Sequence, residues 1–300
     1  MKVLVVGGGI SAERDVSLAS AKAVFNAAVA GGHVAEFYDW DGTTQWLKQH
    51  GSTFDVVLPI LHGEGGEDGT IQKILEASDV PFLGSDSTAS ELCFDKNRTI
   101  DLLAHNGINT PQGEVVTYQD YLKNPLFNAA HVLKPYNGGS SVDTFIYPDP
   151  AQKNVQLIEE AFKRHSSMLL EPFIAGTEIT VPILQDKLLP VIEIIPPEGG
   201  TFDFENKYNG KTRELVPAQN VSAQMQDKAT KLGNEIHRLF NCRHLSRIDM
   251  IIQDEVIYVL EINTMPGMTN HSLFPKAALA SGIDFAALVS YLIQISAAAV

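Results

Sequence analysis

The sequence has few cysteines, no long apolar run and no excess of positive charge. Its two cysteines among 300 residues are Cys93 and Cys242, which argues against a disulfide framework and a cysteine-rich zinc site. No apolar stretch approaches the length that spans a bilayer, and the run that begins at Val3 is too short for the core of a signal peptide. We therefore expect a cytoplasmic protein with no membrane partner.

The charge balance is acidic, with 22 Lys and Arg against 36 Asp and Glu and a formal net charge of −14. Non-specific binding to nucleic acid needs a basic surface, so we expect no nucleic-acid partner. A polyanionic small molecule is still compatible with this balance, because a few local lysines can outweigh the global sign.

Strand patterns and helix patterns alternate over the first third of the chain, which predicts an α/β fold with a parallel sheet covered by helices. Strands are predicted there at residues 3–6, 34–38, 55–60 and 81–84, and helices at 14–29 and 70–78. Further strands are predicted at 130–134, 168–173, 178–184, 188–195, 245–252 and 256–262, and further helices at 96–105, 151–164, 222–240 and 284–296. The polar stretch 199–217 predicts a long functional loop, and we place domain boundaries near residues 94 and 180.

The last predicted strand pair carries polar residues at alternating positions. Arg247 and Asp249 share one face of the first strand, and Glu261 and Asn263 share one face of the second. A hairpin brings these four side chains together, and their oxygens are ligands that magnesium prefers alongside phosphate. The spacing alone fits an exposed, salt-bridged hairpin face equally well. The apolar residues between them are expected to face the core: Ile248, Met250, Leu260 and Ile262.

A glycine-rich loop, residues 135–141, follows Lys134 at the end of a predicted strand. Small residues let backbone N–H groups approach phosphate oxygens, and lysine supplies a point charge. The lysine precedes the glycines, so the loop is not a Walker A motif. A plain connecting loop is the alternative interpretation.

A second glycine-rich segment, residues 61–70, lies between a predicted strand and a predicted helix. Ligands of open parallel sheets bind beyond the carboxyl ends of strands, and His62 lies at such a position. A hydrogen-bonded loop histidine is the alternative. The first strand also ends in glycines at 7–9, but Ala12 leaves the dinucleotide fingerprint incomplete, which argues against a nicotinamide-dependent oxidoreductase.

Taken together, these motifs resemble the D-alanine–D-alanine ligase family of the ATP-grasp superfamily. The resemblance covers nearly the whole chain and keeps the family's motif order. The motifs are GGISAERDVS at 8–17, LHGEGGEDG at 61–69, DK at 95–96, KP at 134–135, GSSV at 139–142, Glu171 with Glu178, KY at 207–208, RID at 247–249, EINTMPGMT at 261–269 and HSL at 271–273.

The resemblance implies an N-terminal α/β substrate domain (1–94) followed by a two-part ATP-grasp fold of α+β character, with a central subdomain (95–180) and a C-terminal subdomain that carries the metal site (181–300). It implies an ATP-dependent ligase that joins two D-alanines through an acyl phosphate, for peptidoglycan precursor synthesis. The implied partners are ATP as co-substrate, D-alanine and a second copy of the chain in a homodimer. Two magnesium ions, with manganese as a substitute, are the implied cofactors.

The resemblance also implies residue roles. The ATP site would comprise Lys96, Lys134, Ser141, Glu171, Phe173, Ile174, Glu178 and Lys207. The metal ligands would be Asp249, Glu261 and Asn263. The catalytic set would comprise Glu13, Ser140, Tyr208, Arg247 and Gly267, with Arg247 and the Gly267 N–H at the developing oxyanion. The substrates would contact Glu13, Val16, His62, Ser272 and Leu273.

Three positions depart from the family pattern. Asp143 stands where glycine is usual, Pro172 where lysine is frequent, and Phe202 where an aromatic hydroxyl is frequent. Tyr208 is retained, as in the family members that form a dipeptide rather than an ester. Another ATP-grasp amide or ester ligase for small amino or hydroxy acids is therefore the first alternative function. A non-catalytic nucleotide-binding protein is the second, although the intact charged set argues against it.

Overall fold

Three β-sheets follow one another along the chain in the computed structural model, which describes residues 1–139, 142–185, 187–197 and 212–298. The strands are β1 (Lys2–Gly8), β2 (Val34–Trp40), β3 (Val56–Pro59), β4 (Glu114–Val116), β5 (His131–Lys134), β6 (Phe145–Tyr147), β7 (Met168–Pro172), β8 (Thr177–Leu184), β9 (Ile192–Ile195), β10 (Arg213–Leu215), β11 (Leu245–Gln253) and β12 (Val256–Asn263). The α-helices are α1 (Arg14–Ala30), α2 (Gln45–His50), α3 (Thr70–Glu76), α4 (Ser87–Phe94), α5 (Lys96–His105), α6 (Tyr118–Lys123), α7 (Val155–Arg164), α8 (Ala223–Leu239), α9 (Leu273–Ala280) and α10 (Phe285–Ala297).

The N-terminal sheet has the strand order β2-β1-β3, and both pairs are parallel. Its central strand is a continuous apolar run, as expected for a parallel strand that is covered on both faces. The predicted parallel α/β arrangement is confirmed. Of the short strand and turn predicted at 81–84, the structure retains an isolated parallel bridge from Phe82 to Val57.

The other two sheets are antiparallel. The central sheet has the order β4-β7-β5-β6, and the C-terminal sheet has the order β10-β9-β8-β11-β12. One apolar cluster joins β1, β3 and α1 to α9 and α10, with Val5, Leu58, Phe274 and Leu288 all fully buried in it. The N-terminal sheet is therefore packed against the C-terminal part of the chain.

Several predicted element bounds need correction. The helix predicted at 151–164 begins at Val155, because Asn154 accepts a hydrogen bond from the Leu157 N–H and caps it. The strand predicted at 188–195 begins at Ile192 and pairs with β8 as expected. The predicted loop 199–217 contains β10, while its residues 199–211 lie outside the described part of the chain.

Helices α2, α4, α6 and α9 were not predicted from the sequence. All four are six to eight residues long, which is too short for a clear helical period. Local caps nevertheless stabilise two of them. Asp86 accepts a hydrogen bond from the Ala89 N–H at the start of α4, and Thr117 accepts one from the Asp120 N–H at the start of α6.

The division of the chain into segments 1–94, 95–180 and 181–300 stays a proposal, and β8 crosses the second boundary. Among the described residues, no single helix has the length and apolar character to cross a membrane. Helices α9 and α10 meet those criteria only as a pair, and they are bent by 102° relative to each other.

Candidate active site

A cavity of about 550 Å³ lies between the central sheet and the C-terminal sheet. Strands β5 and β7 supply one wall, and β8, β9, β11 and β12 supply the other. Eight of the residues predicted for the nucleotide and metal sites line it: Lys96, Lys134, Glu171, Phe173, Ile174, Glu178, Asp249 and Glu261. Residues from five separate motifs therefore meet at one place.

The β11–β12 hairpin has the predicted pairing. Arg247 lies opposite Asn263, and Asp249 lies opposite Glu261. The register then shifts, so that Met250 pairs with Val259 and Leu260 is the extra residue of a β-bulge. This confirms that the four polar residues are brought together.

The bulge also corrects one sequence expectation. Ile248 and Met250 are fully buried and Ile262 is nearly so, as predicted for the core face. Leu260 instead lines the cavity beside Glu261. Strict alternation fails here because the bulge places two consecutive side chains on the cavity side.

Asp249 is held by three neighbours. Arg247 donates from Nε to Oδ1 at 2.9 Å and from Nη2 to Oδ2 at 2.8 Å, which is a bidentate pair. The Thr180 hydroxyl donates to Oδ1 at 2.5 Å, and the Asn263 amide donates to Oδ2 at 3.2 Å. Burial lowers the pKa of Arg247 and the adjacent Asp249 raises it, and the net direction is upward. The guanidinium is therefore a permanent cation at the edge of the cavity.

The predicted metal ligands match magnesium chemistry when phosphate is present. In residues 1–139, 142–185, 187–197 and 212–298, no group of three or more His, Cys, Asp or Glu residues forms a complete metal cage. Asp249 and Glu261 are two opposed carboxylates on the cavity wall. Magnesium is commonly held by one or two carboxylates together with substrate phosphates, so this donor set fits it.

Two lysines reach the same cavity. Lys134 Nζ lies 2.7 Å from Glu171 Oε2, and the two side chains are 11% and 2% exposed. Lys96 Nζ lies 3.6 Å from Glu261 Oε2 and donates to the Gly138 carbonyl. Burial lowers the pKa of Lys96. Glu171 Oε1 is buried and has no hydrogen-bond partner among the described residues, so the cavity wall carries an acceptor that a ligand can use.

Two of the predicted substrate residues, Glu13 and Ser272, pack closely against glycines. A Cβ on Gly139 would lie 2.5 Å from Glu13 Oε2, so the Glu13 carboxylate approaches the glycine-rich loop as only glycine allows. A Cβ on Gly267 would lie 3.0 Å from Ser272 Oγ, which in turn accepts a hydrogen bond from the Thr269 N–H at 3.1 Å. The Glu13 carboxylate therefore packs against Gly139, and the Ser272 hydroxyl packs against Gly267.

His62 is linked through Ser20 to the segment that contains Gly267 and Met268. Its Nε2 lies 3.2 Å from the Ser20 hydroxyl, which also accepts a hydrogen bond from the Met268 N–H at 3.4 Å. Burial lowers the pKa of His62 to about 4, so the ring is neutral near pH 7. Two other predicted substrate residues differ in setting: Val16 is half-buried on α1, whereas Leu273 packs into the apolar core.

Five residues singled out in the sequence lie outside the described part of the chain. They are Ser140, Ser141, Phe202, Lys207 and Tyr208.

Glu67 is a buried site carboxyl to which the sequence assigned no role. Its Oε2 accepts a hydrogen bond from the Gly63 N–H at 2.7 Å, and burial, followed by the nearby Glu13, raises its pKa to about 8. Glu67 lies within the motif at 61–69, but nothing in that pattern distinguishes it from Glu64, which is exposed. Thr180 was also missed, because its contact with Asp249 depends on the pairing of β8 with β11.

We expect the free energy of unfolding to fall as the pH is lowered from about 6.5 to about 4.5. Burial lowers the pKa of His62, His237 and His244 to about 4 from 6.5, so the unfolded chain binds more protons in this window. Glu67 opposes this trend, because its raised pKa favours the folded state at lower pH. Urea unfolding at several pH values measures the slope, and Glu67→Gln should make it steeper. A stability that is flat or rises toward pH 4.5 would contradict this account.

Comparison with known proteins agrees with this geometry. A family model described as the D-ala D-ala ligase C-terminus matches residues 102–294, and one described as the D-ala D-ala ligase N-terminus matches residues 43–85. A protein named D-alanine–D-alanine ligase from Syntrophotalea carbinolica is 39% identical over 293 residues, which cover 96% of this chain and 93% of the relative.

Solved structures of such enzymes share the fold. The D-alanine–D-alanine ligase of Bacillus anthracis in complex with ATP has a TM-score of 0.82 at 30% identity and covers 99% of this chain and 97% of its own. The VanG D-Ala:D-Ser ligase of Enterococcus faecalis has a TM-score of 0.79 at 27% identity, with 99% of each chain covered. With its three sheets, its two-walled cavity and matches along nearly its whole length, the chain belongs to the D-alanine–D-alanine ligase family of the ATP-grasp superfamily.

Proposed function

We propose that this chain joins two D-alanine molecules at the expense of ATP and releases D-alanyl-D-alanine, ADP and phosphate for peptidoglycan precursor synthesis. One observation carries the proposal: Lys96, Lys134, Asp249 and Glu261 converge on a single cavity. Two cations opposite two carboxylates suit a polyphosphate with its metal. The names of the full-length relatives support D-alanine as the substrate.

The cavity is lined by both charged and apolar side chains, and we assign the parts of the nucleotide to them by their chemistry. Lys96 and Lys134 would hold the phosphates. Apolar side chains from both sheets would enclose the base: Val132, Ile146, Phe173, Ile174, Ile194 and Leu260. The unpaired Glu171 Oε1 would accept from the exocyclic amine of adenine, and Glu178 would bind the ribose hydroxyls.

Magnesium or manganese, held by Asp249, Glu261 and Asn263, would offset the negative charge of the nucleotide phosphates. The protein would supply the remaining electrostatics. Arg247 is already oriented by Asp249, so it would need no reorganisation to stabilise charge that develops during the reaction. Lys207, Ser140 and Ser141 would add further donors at the phosphates.

The chemistry has two steps. A carboxylate oxygen of the first D-alanine attacks the γ-phosphorus, the bond from that phosphorus to ADP breaks, and an acyl phosphate forms. The amine of the second D-alanine, after loss of a proton, attacks the acyl carbon and expels phosphate. Glu13 would bind the ammonium group of the first substrate, and Ser272 would position the second.

Positioning of the reacting groups accounts for most of the proposed catalysis. Carboxylate and phosphate repel each other, so cations must hold them in line. The tetrahedral oxyanion of the second step would accept hydrogen bonds from Arg247 and the Gly267 N–H. Water must be kept from the acyl phosphate, because acyl phosphates hydrolyse.

Release of ADP in the presence of different substrates tests the proposal. With ATP and magnesium, we expect D-alanine alone to support turnover and to give a dipeptide that mass spectrometry identifies. D-Serine, D-lactate and L-alanine serve as comparison substrates. Preferred coupling of D-alanine to D-serine or D-lactate would favour the alternative amide or ester ligase. Absence of ADP release with every substrate would refute a ligase function. The homodimer implied by the family resemblance stays a prediction.

A further inference from the structure

Asp143 has a backbone conformation that side chains rarely adopt. Its φ is 54°, in the left-handed region that favours glycine. Glycine adopts this region freely, so the backbone here does not require the carboxylate that Asp143 supplies. Aspartate is among the few non-glycine residues that tolerate this region. The structure therefore accommodates a carboxylate here without a change of loop shape.

The Asp143 carboxylate contacts the carboxyl end of α7. Arg164 donates from Nη2 to Oδ1 at 2.5 Å and from Nε to Oδ2 at 3.0 Å, and His165 Nε2 lies 2.8 Å from Oδ2. The Asp143 side chain is only 14% exposed. The hydrogen bond from Arg164 is the largest cause that lowers the pKa of Asp143, so the carboxylate is charged near neutral pH.

The residues on either side of Asp143 face the other way. Val142 and Thr144 line the nucleotide cavity, whereas Asp143 does not. The other end of the glycine-rich loop is also held, because the Lys96 N–H donates to the Tyr136 carbonyl at 2.7 Å and the Lys96 ammonium donates to the Gly138 carbonyl. Fixed contacts therefore lie on both sides of the loop.

We propose that Asp143, Arg164 and His165 form an anchor that positions Val142 and Thr144 in the wall of the cavity for ATP. Asp143 is then a positioning residue, since it acts through Val142 and Thr144 and does not itself face the cavity. The anchor would favour the arrangement of Val142 and Thr144 that accepts nucleotide. A ligand binds more tightly to a site that is already arranged, because less free energy is spent on ordering the site. This inference rests on the proposed function and concerns ATP affinity alone.

Asp143→Gly is the most direct test, because glycine keeps the left-handed backbone and removes the carboxylate. Asp143→Asn keeps the Cβ and so controls for the backbone freedom that glycine adds. We expect the KM for ATP, and the Kd of a non-hydrolysable ATP analogue, to rise about three- to tenfold while kcat changes less than about twofold. Asp143→Asn and Arg164→Gln should show the same split. The double variant Asp143→Gly with Arg164→Gln should bind ATP no more weakly than Asp143→Gly alone, because Asp143→Gly already removes the contact that Arg164→Gln breaks.

Glu159→Gln is the matched control. Glu159 pairs with Lys163 on the same helix at 3.6 Å, with both side chains at least half exposed, and neither residue contacts Asp143. This variant should leave the KM for ATP unchanged. If Asp143→Gly leaves the KM and Kd within about twofold, or lowers kcat instead, the anchor proposal is wrong while wild-type turnover with D-alanine still upholds the ligase function. A wild-type protein that binds no analogue would refute both.

Discussion

Replacing Arg247 with alanine is expected to lower kcat by on the order of 100-fold or more. The guanidinium is held in place before substrate arrives, by two hydrogen bonds to Asp249 at 2.9 and 2.8 Å. A donor held in this way in a buried site stabilises developing charge without first having to reorganise. The KM for ATP should change much less, because Arg247 does not line the nucleotide cavity. Steady-state ADP release at saturating D-alanine measures both constants.

The control for this result has to separate chemistry from folding. Removal of Arg247 also leaves the buried Asp249 without its cationic partner, which destabilises the fold. Arg247→Lys keeps the positive charge but cannot form the bidentate pair with Asp249. It should therefore retain more stability than Arg247→Ala and still lose most of the activity. Arg238→Ala, on the exposed face of α8, should change neither property. A kcat for Arg247→Lys near the wild-type value would argue against a need for the bidentate guanidinium.

Replacing Lys134 with methionine is expected to lower the free energy of unfolding by about 3–5 kcal/mol and to abolish measurable ATP binding. Lys134 and Glu171 form an ion pair of 2.7 Å in which both side chains are buried. The substitution leaves the Glu171 carboxylate buried without its cation. It also removes one of the ammonium groups that we assign to the phosphates. Urea unfolding and titration with an ATP analogue measure the two effects.

A second substitution separates these effects. Lys134→Met combined with Glu171→Leu replaces the whole pair with apolar side chains, and such replacements are often neutral or stabilising. The double variant should therefore recover most of the stability and none of the ATP binding. Lys231→Met breaks an exposed pair of the same length on α8, so it should change stability little. Recovery of ATP binding in the double variant would contradict the phosphate role of Lys134.

Local patterns account for the parts of the fold that were predicted correctly. The buried run of β1 and the long amphipathic helix α8 depend on side chains within one element, and their periods are visible in the sequence. The β11–β12 hairpin belongs to the same class, since a short turn joins its strands and their alternation assigns each side chain to a face. One side of the hairpin carries the polar residues that we propose as metal ligands, and the other side faces the core.

Contacts between distant segments could not be predicted in the same way. Leu260 faces the cavity because a β-bulge interrupts the alternation, and no residue type in the hairpin predicts that bulge. The raised pKa of Glu67 arises from burial and from Glu13, which is far away in the sequence. The short helices α2, α4, α6 and α9 complete fewer than three turns, so their periods are too brief to recognise.

Position 143 shows both what the sequence predicts and what only the packing of distant segments decides. From its residues, the chain could be assigned a phosphate loop after Lys134, a metal-binding hairpin and a family resemblance in which Asp143 was an unexplained departure. Only the folded chain brings Arg164 and His165 to that carboxylate, because the end of α7 lies beside the loop in space although about twenty residues separate them. Alternation and spacing are local properties that can be recognised directly in the sequence. The meeting of charged groups from separate elements is decided by how those elements pack.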